Sequence, residues 1–367
     1  MKKILVAQPF GIGDALFVTP FLRALKEEAH AERVDMILGS RTREIFETNP
    51  FVDRIFTVDM DRLRERGKVK SFFEIAGLLW ELRKQGYDTF IDCSLSRRYA
   101  LFAGIFLGIS RRIGFNYKRR GAFLTRSLAL PEGYKDKHVI EYYSEMGKLA
   151  DLTVKKEKPD LFLTEEDVKT AGALLAGGNF FDSFSYIAVA PGGGESWGRD
   201  AHFKRWSPEF FAELINKLSH ETGIDGVVIL GSRNEFNLGE QVLTGLKKPG
   251  FNLCGLVPVR QSAAILKKAR FLLANDSGMV HMARALEVPT IALYGPVDEK
   301  VYGPYPLNPG YLALGRSDLE CRPCYRNFRY NAACAGRECL TGFYPDEVFQ
   351  KIISSGFLKQ FKTAVNP

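Results

Sequence analysis

The stretch from Leu272 to Pro296, LLANDSGMVHMARALEVPTIALYGP, decides the fold class. The apolar run Phe271–Ala274 predicts a buried strand, polar Asn275–Gly278 predicts a loop, and a helix-spaced segment leads to a second apolar run, Thr290–Tyr294. A strand, a helix and a second strand in this order form a βαβ unit, in which the two strands are parallel. The polar loop therefore lies at the carboxyl edge of a sheet, where ligands bind in such folds.

The same alternation extends over both halves of the chain. Further strand-like runs are Lys3–Gln8, Val34–Leu38, Ile55–Val58, Thr89–Asp92, Tyr186–Ala190 and Gly226–Leu230. Helical spacing occurs at Asp14–Glu28, Phe72–Gln85, Glu165–Leu175 and Ser207–Leu218. These patterns predict an α/β protein with two βα domains.

The domain boundary is predicted from a change in composition. The charged stretch KKEKPD at 155–160 and the Gly- and Ser-rich stretch GGNFFDSFS at 177–185 flank one short helical segment. The predicted parts are a first domain at 1–160, a linker region at 161–185, a second domain at 186–344 with a Cys-rich insert at 321–339, and a C-terminal helix within 345–367.

The charge of the chain is strongly localised. The 367 residues carry a formal net charge of +8, and their ordinary apolar and charged content excludes a disordered, collagen-like or coiled-coil protein. Residues 93–135 contain one acid, Glu132, and nine basic residues, so this segment carries the whole excess. The nine are Arg97, Arg98, Arg111, Arg112, Lys118, Arg119, Arg120, Arg126 and Lys135. The total alone fits nucleic acid, a membrane surface or an acidic substrate.

Two features bear on the compartment. The start, MKKILVAQ, is too short in apolar residues for a signal peptide, and the longest apolar run, Tyr99 to Ile109, has 11 residues, well short of the ~20 of a membrane span. We therefore expect a cytoplasmic protein, with peripheral membrane association left open. The apolar run with its flanking arginines is either a membrane-contacting surface or a buried helix with solvated ends.

The first candidate site is the loop Gly11–Asp14 after the first strand. Its glycines let the backbone approach a ligand, although the spacing is not that of a dinucleotide-binding fingerprint. Gly13 is a candidate for binding a substrate that carries a hydroxyl, the acceptor of a transferred group. The Asp14 carboxylate is either a base that removes a proton from a hydroxyl or simply a helix N-cap.

Three segments of the second half are candidates for binding an anionic ligand. In the first, Gly192 and Gly193 form a loop after a strand, and Lys204 and Arg205 precede a helix, where cations can face phosphates. The alternative is an ordinary turn beside a core tryptophan.

In the second, Asp276, Ser277 and Gly278 open a helix, and His281 follows one turn later. This arrangement suits a diphosphate, with sugar hydroxyls at Asp276; the alternative for His281 is a structural role. Ser232 and Glu235 follow another strand, and Glu235 either accepts from ribose hydroxyls or is a solvated acid.

Four cysteines lie within the Cys-rich insert: Cys321, Cys324, Cys334 and Cys339. Four thiols at this spacing in a cytoplasmic protein favour a structural tetrathiolate site for Zn²⁺ or a single iron ion. Four free thiols or two disulfides are the alternatives.

The motifs together resemble glycosyltransferase family 9, the ADP-heptose:lipopolysaccharide heptosyltransferases, over nearly the full chain. The matching stretches are GIGDALFVTPFLRALK, RRIGFNYKRRGAFLT, APGGGESWGRDAHFKRWSPEFFAELI, VVILGSRNEF, NDSGMVHMARALEVPTIALYGP and CRPCY, in matching order. The most specific is Asp276-Ser277-Gly278-x-x-His281 followed by Tyr294-Gly295-Pro296. The glycine loop 192–194 and the segment after it depart from some members, and the cysteine quartet occurs in only part of the family.

The resemblance implies a GT-B fold, in which two Rossmann-like domains with parallel sheets face each other across a cleft. The first domain would bind the acceptor, the second would bind the ADP-sugar, and the last helix would cross back to the first domain. It also implies an inverting mechanism without a catalytic metal. Asp14 would be the general base, Lys204 would contact the phosphates, Glu235 the ribose, and Asp276 the heptose. Ser277, Gly278 and His281 would hold the diphosphate.

The resemblance also gives the basic segment a partner. We expect the donor to be ADP-heptose and the acceptor to be anionic lipopolysaccharide, lipid A carrying Kdo sugars, bound through Arg97, Arg98, Arg119 and Arg120 at the inner face of the inner membrane. Alternatives are a protein O-heptosyltransferase, a transferase that uses another nucleotide sugar, or a basic lipid- or nucleic-acid-binding protein without catalysis. No nucleic-acid-binding module is recognisable in the sequence, so no nucleic-acid partner is expected.

Overall fold

Two parallel sheets organise the chain. The computed structural model describes residues 1–59, 67–180, 184–331 and 333–361, with only the backbone described at 68, 69 and 195–199. The chain divides into one unit at Met1–Phe162 and another at Leu163–Pro367. Each unit contains one sheet with helices packed against it, which confirms the predicted α/β class.

The sheet of the first unit has the strand order β3-β2-β1-β4-β5-β6, with neighbouring strands parallel. Its strands are β1 (Lys3–Gln8), β2 (Arg33–Gly39), β3 (Arg54–Val58), β4 (Thr89–Asp92), β5 (Arg111–Asn116) and β6 (Arg126–Ala129). Its helices are α1 (Ile12–Phe17), α2 (Thr19–Glu27), α3 (Arg43–Phe46), α4 (Lys68–Lys84), α5 (Arg97–Ile105) and α6 (Val139–Leu149), with 3-10 turns at Ser40–Thr42 and Tyr117–Phe123.

The predicted helix Asp14–Glu28 is two helices, α1 and α2. They are separated by Val18, which caps both and lies two residues before Pro20. A proline has no N–H to donate, so it is favoured in the first turn of a helix and not in a helix interior. The short first helix ends here, and Pro20 occupies the start of the second.

The sheet of the second unit has the order β12-β11-β10-β7-β8-β9, again with parallel neighbours. Its strands are β7 (Tyr186–Ala190), β8 (Gly226–Ile229), β9 (Gly250–Asn252), β10 (Phe271–Asn275), β11 (Thr290–Tyr294) and β12 (Tyr311–Gly315). Its helices are α7 (Glu165–Gly177), α8 (Pro208–Thr222), α9 (Phe236–Thr244), α10 (Val259–Lys268), α11 (Gly278–Ala285), α12 (Glu299–Tyr302), α13 (Glu338–Thr341) and α14 (Pro345–Ser355), with 3-10 turns at Glu195–Lys204, Arg233–Glu235 and Phe357–Phe361.

The helix α7 of the predicted linker region belongs to the second unit. This helix begins with a capping box between Thr164 and Asp167, and its residues Ala171 and Leu175 are buried. Asp167 also accepts a hydrogen bond from Arg260 Nε of α10 at 2.7 Å, which fixes the helix against its neighbour. The segment is therefore a docked helix of the second unit.

The C-terminal helix α14 contributes Val348 and Ile352 to the core of the second unit. Phe357 and Phe361 beyond it lie against Phe271 of β10, with ring centroids 5.8 and 5.2 Å away. The expected crossing of the C-terminal segment to the first domain stays a prediction, and residues 362–367 lie outside the described part of the chain.

Within the described ranges, no helix is both long enough and apolar enough to cross a membrane. The apolar run Tyr99–Ile109 is only partly buried. It forms most of α5, with Ala100 and Ala103 in the core and Ile105 63% exposed.

Candidate functional site

The loops that follow β1, β4 and β5 lie at one edge of the first sheet. The three strands are adjacent and parallel, with Ala7 paired with Asp92 and Asp92 paired with Gly114. The carboxyl ends of parallel neighbours meet at the same edge. The sheet therefore brings the Gly11–Asp14 loop, the start of α5 and the turn Tyr117–Phe123 to that edge.

Asp14 is not the N-cap of its helix. Gly11 takes that position without a side-chain bond, and Asp14 lies in the first turn of α1, half-buried and directly after Gly13. The buried Gln8 amide donates to the Asp14 carbonyl at 3.1 Å and to the Tyr143 hydroxyl at 2.8 Å, so it ties this turn to α6. Burial raises the pKa of Tyr143, and the charge of Asp14 is among the further causes. The N-cap alternative for Asp14 is therefore wrong, and its role as a base stays a prediction.

A buried carboxylate at the same edge, Asp92, was missed by the sequence analysis. Asp92 ends β4, and its Oδ1 accepts from the backbone N–H of Ser94 at 2.9 Å and from the Ser94 hydroxyl at 2.5 Å. Burial raises its pKa to about 6, although the Ser94 bonds favour the charged form. The only sequence signal was its place at the end of a predicted strand.

The nine basic residues of 93–135 separate into two groups. Four have structural partners: Arg111 and Arg126 pair with Asp151 at 2.7 and 3.2 Å, Arg112 Nε donates to the Phe123 carbonyl at 2.6 Å, and Lys135 pairs with Glu132 at 2.6 Å. The other five are exposed and form a basic patch, although Arg120 also bonds to a backbone carbonyl; the five are Arg97, Arg98, Lys118, Arg119 and Arg120.

The fold assembles this basic patch from two segments. Arg97 and Arg98 begin α5, where the helix dipole adds partial positive charge. Arg120 donates to the Leu95 carbonyl at 3.3 Å and lies over the Tyr117 ring, as does Lys118. Lys118 and Arg119 have positive φ angles of 47° and 58°, uncommon for residues with side chains. The predicted acceptor-site arginines thus lie close together at the carboxyl edge of β4 and β5.

In the second unit, a buried ion pair joins two of the predicted donor-site segments. Lys204 Nζ lies 2.6 Å from Asp276 Oδ2, and the two residues are 5% and 3% exposed. Asn275 holds the two segments together. Its side chain donates to the Pro191 carbonyl at 2.7 Å and accepts from the Trp206 N–H at 3.3 Å. The amide thereby fixes the ends of β7 and β10 to the backbone beside Lys204.

Two polar atoms beside this pair have no hydrogen bond within the described part of the chain. They are Asp276 Oδ2, whose contact with Lys204 is an ion pair without hydrogen-bond geometry, and the buried Ser277 Oγ. Buried polar atoms in folded proteins are nearly always paired with protein groups, ordered water or a ligand, so a water molecule or a bound ligand can pair with these two atoms. Ser277 is the N-cap of α11, so the first N–H groups of that helix open at the same place, with His281 buried one turn along.

Glu235 is a buried side chain held by backbone amides. Its two oxygens accept from Ser232 N at 2.8 Å and from Gly194 N at 3.2 Å. A Cβ at Gly192 would lie 1.7 Å from Glu235 Oε1, so a larger residue there would displace the Glu235 carboxylate from its present position. A Cβ at Gly193 would lie 2.4 Å from the Ala201 carbonyl oxygen. The glycine loop and Glu235 are therefore packed as one unit, and the solvated-acid alternative for Glu235 is wrong.

Arg205 is directed differently from Lys204. It is half-buried, and its Nε is buried without a hydrogen-bond partner in the described part of the chain. Trp206, the next residue, is buried and donates from Nε1 to the Phe343 carbonyl at 2.7 Å. The Lys-Arg-Trp triplet thus has one side chain in an ion pair, one half-buried and one in the core.

The four cysteines do not form a metal-ligating group in the structure. Cys321 is exposed whereas Cys339 is buried in the core, and all are free thiols. Burial raises the pKa of Cys339 to about 11, with the other three thiols among the lesser causes, so the four lie in one neighbourhood. Among the residues whose placement is described, no three His, Cys, Asp or Glu side chains are arranged to hold a metal ion. A structural Zn or Fe site stays a prediction from the sequence.

A family model supplies the identification. The model of glycosyltransferase family 9 (heptosyltransferase) matches residues 75–332, which is most of the chain. The chain belongs to this family. It is therefore a glycosyltransferase, and the family predicted from the motifs is confirmed.

Individual relatives agree with the family match. The chain is 25% identical to lipopolysaccharide heptosyltransferase 2 of Salmonella typhimurium, over 80% of this chain and 83% of the relative. Two solved E. coli structures have similar folds. The ADP-heptose lipopolysaccharide heptosyltransferase II has a TM-score of 0.72 at 21% identity, covering 98% of this chain and 99% of that one. Heptosyltransferase WaaC with ADP-2-deoxy-2-fluoro heptose has a TM-score of 0.69 at 19% identity, covering 96% and 99%. The predicted GT-B class of two Rossmann-like domains is confirmed.

Asp92 generates a prediction on stability. Because its folded pKa of about 6 lies above the ordinary value of 3.8, the folded chain keeps a proton that the unfolded chain loses between about pH 4 and pH 6. The free energy of unfolding therefore falls as pH rises through this range. Asp92→Asn removes this pH-dependent decrease in the free energy of unfolding, and the amide oxygen can still accept the hydrogen bonds from Ser94. We expect it to gain up to roughly 3 kcal/mol over the unsubstituted protein at neutral pH and little near pH 4.

Urea unfolding of the two proteins across this pH range measures the effect. Asp136→Asn is the matched control, because Asp136 is exposed in the same unit. A gain for Asp92→Asn that is the same at both ends of the range would contradict a raised pKa at Asp92.

Proposed function

We propose that the protein transfers heptose from ADP-heptose to a hydroxyl of an anionic lipopolysaccharide inner-core acceptor, with inversion at the sugar. The observation that carries the proposal is the buried ion pair between Lys204 and Asp276, which lies beside the orphaned Ser277 hydroxyl and the start of α11. A cation and helix N–H groups suit a diphosphate, and a carboxylate suits sugar hydroxyls. The names of the relatives supply the choice of heptose and lipopolysaccharide.

The chemistry requires two kinds of group. The Asp14 carboxylate takes the proton of the acceptor hydroxyl, and the resulting oxygen attacks the anomeric carbon of heptose from the face opposite the leaving group. The bond from that carbon to the diphosphate oxygen breaks, and ADP leaves with the electron pair. Lys204 and the first N–H groups of α11 stabilise the negative charge that develops on ADP. Glu235, fixed by its amide bonds, accepts from the ribose hydroxyls.

Asp14→Asn tests the base. We expect transfer to slow by ~10²-fold or more, because the acceptor hydroxyl loses its proton acceptor. The assay measures ADP released from ADP-heptose and heptose-deficient lipopolysaccharide, and thermal shift with ADP-heptose measures donor binding, which is expected to be unchanged. Asp136→Asn is again the control. Unchanged turnover would remove Asp14 from the mechanism.

The same assay tests the proposed function as a whole. A thermal-shift panel of nucleotide sugars accompanies it. If the donor is a different nucleotide sugar, that compound will stabilise the protein more than ADP-heptose does. Donor binding without turnover on lipopolysaccharide contradicts this acceptor and directs the search to a protein acceptor. Salt-sensitive DNA binding without nucleotide-sugar binding would favour the non-catalytic alternative.

The basic patch is proposed to bind the acidic groups of the acceptor. Arg97→Gln together with Arg98→Gln removes two exposed cations at the start of α5. We expect the KM for the acceptor to rise roughly tenfold or more, since bonds to charged groups are the strong ones. The KM for ADP-heptose is expected to stay unchanged. Lys247→Gln with Lys248→Gln, an exposed pair in the second unit, is the control. An equal rise in both KM values contradicts the assignment.

A membrane-contacting surface is proposed on the same unit. Exposed apolar side chains occur on α4 and at the end of α5; they are Phe72, Phe73, Trp80, Ile105 and Phe106. Lys84 Nζ lies 5.3 Å from the Trp80 ring centroid, and Arg83 donates to the Phe106 carbonyl, so cations border the apolar side chains. Aromatic residues bordered by cations suit the interface of an anionic bilayer. This surface supports a cytoplasmic protein that is peripheral to the inner membrane.

Vesicle sedimentation tests this surface. Phe72→Ser with Phe73→Ser is expected to lower the fraction bound to vesicles that contain anionic lipid, because it removes exposed apolar area that the bilayer would bury. Leu256→Ser with Leu307→Ser, two exposed apolar residues of the second unit, is the control. The surface is rejected if both double variants sediment with vesicles as the unsubstituted protein does.

A further inference from the structure

The Cys-rich insert lies against the end of β11, beside the proposed donor site. The N–H groups of Cys324 and Tyr325 both donate to the Pro296 carbonyl at 3.0 Å. Arg322 donates to the Gly295 carbonyl and forms an ion pair with Glu299 at 2.7 Å. The insert is therefore anchored directly to the loop that follows β11, and β11 neighbours β10, the strand that Asp276 directly follows.

A second set of contacts joins the insert to the segment before Lys204. Arg337 donates to the His202 carbonyl at 2.7 Å. The Tyr330 ring stacks on Phe203, with centroids 5.3 Å apart and planes 22° from parallel, and Tyr325 packs beside it at 5.0 Å. Phe203 directly precedes Lys204. The insert thus bridges the two segments that meet in the Lys204–Asp276 ion pair.

The Tyr330 hydroxyl lies within the electrostatic reach of Asp276. The hydroxyl oxygen is buried. Burial is the main cause that raises the Tyr330 pKa, and the charge of Asp276 is the next cause. The same carboxylate contributes to the raised pKa of the buried Tyr294. Together with the stacking of Tyr330 on Phe203, next to Lys204, this places Tyr330 near the carboxylate proposed to bind the sugar.

The chemistry of these groups fits a sugar better than a diphosphate. An aromatic ring offers an apolar face to the C–H groups of a sugar, and its hydroxyl donates to or accepts from sugar hydroxyls. The negative charge of the Asp276 carboxylate repels a phosphate, whereas its oxygens accept hydrogen bonds from sugar hydroxyls. A ring held by Phe203 and Tyr325 has little freedom to move away, and a wall that stays in place is what selection among sugars of different shape requires.

We propose that Tyr330, carried by the Cys-rich insert, forms one wall of the donor's sugar subsite and contributes to the choice of sugar. The inference rests on the proposed function, because it takes an ADP-linked sugar as the ligand. It gives the insert a role in substrate binding in addition to any structural role of its cysteines.

Calorimetric titration of the full chain with ADP and, separately, with ADP-heptose tests the proposal. Tyr330→Phe is expected to weaken ADP-heptose binding roughly fivefold through the lost hydroxyl bond, and Tyr330→Ala more. The affinity for ADP is expected to stay within about twofold in both variants, since ADP lacks the sugar. Tyr344→Ala, which removes a 59% exposed tyrosine of the same unit, is the control.

The outcomes separate the inference from the proposed function. Unchanged ADP-heptose affinity in both Tyr330 variants overturns the inference, and so does an equal loss for ADP and ADP-heptose, which would place Tyr330 at the nucleotide. Absence of ADP-heptose binding by the unsubstituted protein contradicts the proposed function itself. Thermal unfolding of each variant identifies loss of fold, and Tyr330→Phe keeps the ring and its stacking on Phe203.

Discussion

The ion pair between Lys204 and Asp276 is the interaction on which the second unit's site depends. Removing two charges from water costs several kcal/mol per ion, and their attraction offsets this only when the geometry is good and further bonds are made. Here the 2.6 Å contact leaves Asp276 Oδ2 without a hydrogen bond in the described part of the chain. This carboxylate oxygen can therefore accept a further hydrogen bond. In the proposed function, a hydroxyl of the donor sugar supplies that bond, and the diphosphate lies near the lysine.

The pair persists because uncharged parts of the fold hold its two ends. Asn275 bonds to the Pro191 carbonyl and to the Trp206 N–H, and Trp206 is fixed in turn through its indole N–H to Phe343. A side-chain amide binds two backbone groups without adding a net charge to the site. Lys204 thus reaches Asp276 from a backbone that is held at Trp206, two residues away, so little backbone freedom remains to be lost there when a ligand binds.

The central strands could be predicted from the sequence, and the reason lies in burial. A parallel strand covered on both faces reads as a continuous apolar run, as Thr89–Asp92, Tyr186–Ala190 and Thr290–Tyr294 do. Strands β6, β9 and β12 lie at sheet edges, are short or half-exposed, and escaped prediction. β5 escaped because its first two residues are arginines with structural partners. A charge count along the chain cannot distinguish such arginines from those that face a ligand.

The site was predicted where it follows from local sequence and was missed where it depends on tertiary contacts. The loop Asn275–Gly278 could be placed at a sheet edge because strand and helix periods flank it. The burial of Asp92 depends on the packing of β1 and β5 on either side of β4, which no local pattern encodes. The proximity of Tyr330 to Asp276 depends on a loop-rich insert that has no hydrophobic period of its own. The spacing of the four cysteines indicates a role for the thiols, whereas the insert reaches the segment before Lys204 through the Tyr330 ring and through Arg337. Aromatic residues in an irregular segment give little signal in sequence, because their role depends on which ring they stack on, and here that ring is Phe203, next to Lys204.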